Sequence, residues 1–234
     1  MTETEPAKAE FDAYSGNYDK AVNAAIGLPG LNVDYFTKVK AEYLIDMITA
    51  HFGDAAKADI LDIGCGIGNY HKLICDRVGS VSGVDVSPDS ITEARKRNPS
   101  IQYQVYEGKR LPFTDASFDV AFTICVMHHV PPPQWPQFTA EMKRVLKPGG
   151  MAIVFEHNPR NPLTRRVVSN CVFDKTAVLL NSEQTRALLE GAGFRDILSR
   201  SIISIPPSGS LLRRMDLQLG RLALGAQYFV RATA

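Results

Sequence analysis

Between Ala58 and His157 the chain keeps returning to one unit, a short apolar run followed by an amphipathic stretch. "ADILDIGCG" is followed by "NYHKLICDRVG", and "VSGVDV" by "SPDSITEARKRN". "IQYQVYEG" and "SFDVAFTICV" come next, then "PQWPQFTAEMKRVL", then "MAIVFEH". Apolar runs this short, bounded by turn residues, read as strands, and the stretches between them carry helical spacing. Strand, helix, strand, helix in this order predicts a parallel sheet with helices on both faces. Ser87 is placed to cap the helix that Pro88 opens. The Lys147-Pro148-Gly149-Gly150 turn is expected to end the helix before the fifth strand.

The flanks are less regular. The first ten residues read as a loose tail, and "FDAYSGNYDKAVNAAIG" as a helix ending at the break from Gly27 to Gly30. "VDYFTKVKAEYLIDMITAHFG" carries Tyr35, Val39, Tyr43, Leu44, Met47 and Ile48 at helical spacing and stops at Gly53. Residues 1–52 are therefore expected to form a tail and helical cap, and residues 53–234 the main domain, with an insertion at about 158–181. Ser182 is expected to cap a helix over "SEQTRALLEGAGF". "RDILSRSIISI" and "LGAQYFVRAT" read as the last two strands. "SGSLLRRMDLQLGRLAL" between them is an amphipathic helix or a long loop.

Bulk properties narrow the class. A chain of 234 residues with 45% hydrophobic residues can bury a sizeable core. A formal net charge of +1 gives no global field for nucleic acid or an acidic membrane, so neither is expected as a partner. No apolar run approaches the ~18 residues of a membrane span. The polar N-terminus is unlike a secretory signal. Cys65, Cys75, Cys125 and Cys171 lack metal-ligand spacing, which predicts thiols in a cytoplasmic protein and no metal site. Nothing in the sequence fixes an oligomeric state.

In an open parallel sheet, ligands bind beyond the carboxyl ends of the strands. Gly64-x-Gly66-x-Gly68 sits there, after the first strand. Glycine lets the backbone turn sharply and approach a ligand without a Cβ clash, although a bare strand-to-helix turn uses it too. The spacing is compressed relative to GxGxxG, the longer loop that aims a helix N-terminus at a pyrophosphate. Asp62 lies inside the strand, where a carboxylate is costly unless satisfied. It can accept from the loop's own amides or face a cationic ligand. Asp85 closes the second strand, where a carboxylate can accept both hydroxyls of a ribose.

"ILDIGCGIGNY" and "VSGVDVSPDSI" resemble the first two motifs of class I S-adenosylmethionine-dependent methyltransferases. "YEGKRLPFTDASFDVAFTICVMHHV" and "EMKRVLKPGGMAIVFE" resemble the later ones, as found in small-molecule methyltransferases. The resemblance is strongest over residues 55 to 157. It implies an α/β, doubly wound, Rossmann-like sheet of seven strands, mostly parallel with an antiparallel last strand, and an N-terminal helical cap. It implies S-adenosyl-L-methionine as cofactor. Gly64, Cys65, Gly66 and Gly68 would hold the methionine part, with Asp62 near its ammonium. Asp85 would bind the ribose and Val86 flank the adenine. Glu107 stands where the family usually places an aspartate beside the adenine amino group. Tyr14 and Tyr18 fall where family members close a lid.

Methyl transfer depends chiefly on alignment and exclusion of water. A general base matters only when the acceptor loses a proton, as a hydroxyl does. His128 and His129 after the fourth strand, and Glu156 and His157 after the fifth, are the candidates, and all of them can equally shape the pocket. The expected acceptor is a small molecule, with O-methylation ahead of N- or C-methylation. Arg160, Arg165 and Arg166 would suit an anionic or carrier-linked one. Two other readings are a nicotinamide-dependent oxidoreductase and a non-catalytic cofactor-binding or partner module. The compressed glycine spacing and the absence of a Tyr-x-x-x-Lys pair argue against the first. The intact Asp62, glycines and Asp85 argue against the second.

Overall fold

A computed structural model describes residues 23–24, 32–171, 174 and 176–234. Its seven strands form one sheet in the order β3-β2-β1-β4-β5-β7-β6. They are β1 Asp59–Ile63, β2 Ser80–Asp85, β3 Gln102–Val105, β4 Phe118–Ile124, β5 Leu146–His157, β6 Arg195–Ile202 and β7 Gln227–Thr233. The pairs among β1 to β5 are parallel, and β7 runs antiparallel to both its neighbours. This is the mostly parallel sheet with an antiparallel last strand. The strand order reverses between β1 and β4, and the carboxyl ends of β1 and β2 open beside that switch point.

The central strands β1, β4 and β5 are buried on both faces, because helices cover both. On one side α1 (Val33–Phe52) lays Val39, Leu44 and Ile48 against Ile60, Phe122 and Phe155. On the other, α4 (Trp135–Val145) and α6 (Ser182–Gly191) bring Phe138, Met142 and Leu189 onto Leu61, Ile63 and Val154. Neighbouring residues of β1 thus serve opposite cores, as a period of two requires. Burying each such side chain contributes roughly 1.5–3 kcal/mol.

Local chemistry sets the ends of the elements. Asn32 caps α1 by accepting from the Tyr35 amide at 2.8 Å, and Gly53 ends it at φ 78°. Ser87 caps α3 (Pro88–Arg97) as expected, accepting from the Ser90 amide at 3.0 Å. At α6 the cap is Asn181 instead of Ser182. Its side chain accepts from the Gln184 amide while Gln184 returns the bond, a capping box that serine one position later would miss. The helix after the glycine loop is only α2 (His71–Ile74), followed by a tight turn from Cys75 to Arg77. Lys147 to Gly150 lie within the span of β5, where the register with β4 jumps from Phe118↔Leu146 to Val120↔Met151.

The insertion contains a helix of its own, α5 (Pro162–Asn170), and "SGSLLRRMDLQLGRLAL" supplies α7 (Ser210–Leu219). Asp216 docks α7 against α1. It is fully buried, and it accepts from the Tyr43 hydroxyl at 2.6 Å and from the amides of Ile203, Ser204 and Ile205. Arg213 pairs with Asp46 at 2.9 Å, so this arginine serves packing. Among the described residues, no helix is long and apolar enough to cross a membrane. The expected helix before Gly27, with Tyr14 and Tyr18, lies outside the described residues apart from Asn23 and Ala24.

Candidate cofactor and acceptor site

The glycine loop leaves β1 in left-handed backbone, with Gly64 at φ 79°, Gly66 at 51° and Gly68 at 73°. Each glycine faces something different. A Cβ on Gly64 would lie 2.5 Å from a methyl of Val126, and one on Gly68 would lie 2.6 Å from the Tyr103 hydroxyl. A Cβ on Gly66 would meet no atom within 4 Å. The middle glycine therefore borders open space, while the outer two are required by protein packing. The Gly64 and Cys65 amides donate to the Val84 carbonyl at 2.8 and 3.0 Å, which ties the loop to β2. Cys65 is buried under the loop, and burial pushes its thiol pKa well up.

Asp62 points beneath this loop and is 2% exposed. Its Oδ2 accepts from His71 Nε2 at 3.0 Å. The other nitrogen, His71 Nδ1, meets the Tyr103 hydroxyl, which also accepts from Asn98 Nδ2 at 3.1 Å. Asn98 Nδ2 also donates to the Gly68 carbonyl at 3.2 Å, closing the network onto the loop. Burial raises the Asp62 pKa, and the bond and charge of His71 work against that rise. The carboxylate is thus satisfied by a histidine, a partner the sequence reading missed. His71 lies on the short α2, and no spacing rule marks it.

Asp85 sits at the end of β2 with its two oxygens divided. Oδ2 accepts from the Gly66 amide at 2.8 Å and Oδ1 from the Ser87 amide at 2.9 Å. Burial pushes it up to about 6, against the pull of those amides. Val86 is half-buried beside it, and Glu107 is exposed beyond β3.

The three candidate histidines meet at the carboxyl ends of β4 and β5. His128 Nδ1 contacts Glu156 Oε2 at 2.5 Å, and its Nε2 faces Asp174 Oδ1 at 3.3 Å. Glu156 Oε1 is held by the amides of Val126 and Met127 at 3.1 and 2.8 Å. His129 Nε2 lies 3.4 Å from the same Asp174 oxygen, and the His157 ring packs 5.2 Å from that of His128. Burial opposes a charge on His128, but the Glu156 carboxylate and the bond to Asp174 outweigh it and push it up to about 10. Burial and the charge of His128 bring His129 down to about 3 and His157 down to about 4. One imidazole carries charge and two are neutral.

A buried lysine flanks this cluster. Lys40 of α1 is 4% exposed, and its ammonium lies 3.7 Å from Cys125 Sγ and 5.6 Å from the Tyr70 ring centre. Among the described residues it has no carboxylate within ion-pair distance. Gln227 Nε2 points at the same sulfur at 3.8 Å, and Gln227 Oε1 is buried without a partner. Cys125 holds a left-handed φ of 57°, which aims its sulfur between these donors. A signal for Lys40 existed: it stands three and four residues before Tyr43 and Leu44, on the apolar stripe of α1. The arginines singled out in the insertion lie elsewhere. Arg160 pairs with Glu183 at 3.0 Å, and Arg165 and Arg166 are exposed on α5.

Comparison with known proteins bears on this geometry. Residues 60–150 match the family described as "Methyltransferase domain". A Mycolicibacterium smegmatis protein named "Probable S-adenosylmethionine-dependent methyltransferase" is 30% identical over 197 residues, covering 76% of this chain and 69% of that one. The chain belongs to the S-adenosylmethionine-dependent methyltransferases. The rice "24-methylenesterol C-methyltransferase 2" is 28% identical over 226 residues, covering 91% of this chain, and the chain spans 60% of that relative's length. A solved SAM-dependent methyltransferase from Thermotoga maritima, a possible histamine N-methyltransferase, superposes with a TM-score of 0.67 at 21% identity. The superposition covers 96% of this chain and 98% of that one, and it supports the fold.

The family's cofactor is S-adenosylmethionine, and the residues present fit it. Gly66 borders open space where a side chain would intrude. Asp85 keeps lone pairs for two hydroxyls beyond the amide bond on each oxygen. A nicotinamide dinucleotide would need phosphate room at a helix N-terminus. Here the loop runs into α2, which is only four residues long.

Proposed function

We propose that this methyltransferase modifies an oxygen of a small-molecule acceptor seated at the carboxyl ends of β4 and β5. Gly64, Cys65, Gly66 and Gly68 hold the methionine part of the cofactor, Asp85 the ribose, and Val86 the adenine edge. Glu107, exposed beyond β3, is our candidate for the adenine amino group. Tyr18 remains a lid candidate on its sequence position. When bound, S-adenosylmethionine supplies an electrophilic methyl group on a sulfonium.

The observation that carries the acceptor side is Lys40, a buried ammonium whose described partners are a thiol and a phenol ring. A buried cation is costly without an anion beside it. An ionising hydroxyl supplies that anion, and the ammonium in turn lowers the hydroxyl's pKa. The acceptor hydroxyl then gives its proton to solvent water before attack, with no strong protein base needed. That suits the histidines: His128 has both ring nitrogens against carboxylates, while His129 and His157 are weakly basic. We assign His129 and His157 to shaping the pocket and receiving hydrogen bonds, and His128 to holding β4 and β5 together. Gln227, with its unpartnered carbonyl oxygen, faces the same acceptor. We place the protein in the cytoplasm, a reading supported by Cys65, Cys75 and Cys125, which form no disulfide.

A carbon acceptor is the second reading, favoured by the similarity to the rice C-methyltransferase. An activated phenol can react at either atom, and the product's NMR spectrum separates them. Calorimetry with S-adenosylhomocysteine and with NAD tests the cofactor assignment, and binding of NAD alone would overturn it. A panel of phenols and hydroxy acids then tests the acceptor. Lys40→Met should lower kcat/KM on any accepted hydroxyl at least tenfold, with S-adenosylhomocysteine affinity unchanged. Equal turnover by the variant would remove Lys40 from the acceptor site.

A further inference from the structure

The fold assembles a side-chain cluster that no local spacing announces. Asp174 stands 46 residues from His128, in the insertion, yet its Oδ1 reaches both His128 and His129. We propose that His128 Nε2, His129 Nε2 and Asp174 Oδ1 bind a divalent transition-metal ion of the borderline class, such as zinc, iron(II) or cobalt(II).

Distances carry the proposal. The oxygen lies 3.3 Å from one imidazole nitrogen and 3.4 Å from the other. Those separations are long for charge-assisted hydrogen bonds, which close to about 2.7–2.9 Å. They match the edge of a tetrahedron around an ion with ligand bonds of about 2.0–2.1 Å, which is about 3.3–3.4 Å. No two of the three ligand atoms lie more than 4.8 Å apart. Small side-chain movements therefore complete the site.

The surroundings fit the same reading. A metal-bound histidine commonly gives its second ring N–H to a carboxylate, which fixes its tautomer and orientation. His128 Nδ1 does this toward Glu156 at 2.5 Å, and two backbone amides lock Glu156 in turn. His129 and Asp174 retain 13% and 10% side-chain exposure, which gives an ion a way in. Two imidazoles and one carboxylate suit borderline divalent ions better than calcium or magnesium. Three protein ligands also leave coordination positions open, for water or an oxygen of the acceptor. Without an ion, a proton on His128 Nε2 bridges to Asp174. A bound ion replaces that proton.

The test uses the full chain, stripped with a chelator and titrated with cobalt(II) and zinc(II). One ion per chain is expected, with the visible absorption of tetrahedral cobalt(II). Asp174→Asn and His129→Ala should each weaken binding by roughly tenfold or more, and Glu156→Gln by roughly ten- to a hundredfold through the orientation of His128. His157→Ala should leave metal affinity unchanged, since His157 offers no ligand. S-adenosylhomocysteine affinity is measured on every variant as proof of folding, and it separates this proposal from the cofactor assignment. Absence of stoichiometric binding would overturn the site. So would an Asp174→Asn protein that folds and binds the ions as tightly as the wild type.

Discussion

His71 Nε2 donates to Asp62 Oδ2 at 3.0 Å, and both side chains are sealed beneath the glycine loop. This contact explains how a carboxylate survives inside β1. With Nε2 as donor, Nδ1 is left to accept from Tyr103, so both imidazole nitrogens and the tyrosine hydroxyl find partners. The loop that fits the cofactor therefore rests on a hydrogen-bonded floor, with Gly68 joined to it through Asn98.

His71→Ala removes the partner and leaves Asp62 buried. Breaking a buried pair from one side costs about 3–5 kcal/mol. Urea unfolding should show that loss as a lower midpoint with an unchanged slope. Its close neighbour Tyr103→Phe, which removes one hydroxyl, should lose about 1–3 kcal/mol. A His71→Ala protein as stable as the wild type would show that Asp62 is solvated or protonated without cost.

The glycines of the loop should separate by function. Gly66→Ala places a methyl group in open space, so its folding cost is the left-handed backbone alone, about 1–2 kcal/mol. Its main effect should be on S-adenosylhomocysteine, with affinity falling at least tenfold. Gly68→Ala drives a methyl group onto Tyr103 and Asn98, at 2.6 and 2.7 Å. It should destabilise the fold by roughly 2–5 kcal/mol. Equal losses of affinity and stability in the two variants would mean that the space at Gly66 is not the cofactor's.

The parts of the site visible in the sequence are those built from one stretch of chain. The alternating runs mark the strands up to β5 and their parallel pairing, and the compressed glycine spacing with Asp85 marks the proposed cofactor end. Ser87 could be read as a cap because its bond closes within three residues. The residues that escaped notice act across the fold. Asp174 meets His128 only after the insertion folds back, and Gln227 meets Cys125 only because β7 enters the sheet beside β5. The antiparallel entry of β7 is a long-range outcome that the periodicity of "LGAQYFVRAT" does not encode, and it followed from family resemblance alone. Asn181 outcompetes Ser182 as a cap because only Asn181 stands three residues before Gln184.

Asp85 should give ligand affinity and stability opposite responses to pH. Burial pushes it up to about 6 in the folded protein, above the ordinary aspartate value of 3.8. A carboxyl with a raised pKa binds its proton more tightly when folded. Its ionisation therefore costs stability above pH 6, and that cost is relieved as pH falls toward 4. Ribose hydroxyls need the ionised form as acceptor. Affinity for S-adenosylhomocysteine should be level above about pH 7 and weaken by up to about tenfold per unit below pH 6. Asp85→Asn should bind more weakly by about 1.5–3 kcal/mol at neutral pH, with this pH response abolished. Between about pH 7 and pH 5 the wild type should gain stability relative to that variant. Calorimetry and urea unfolding over the same pH series measure the two responses on one preparation. An affinity that ignores pH across that range, in a protein whose relative stability does change, would mean that Asp85 titrates but does not hold the ribose.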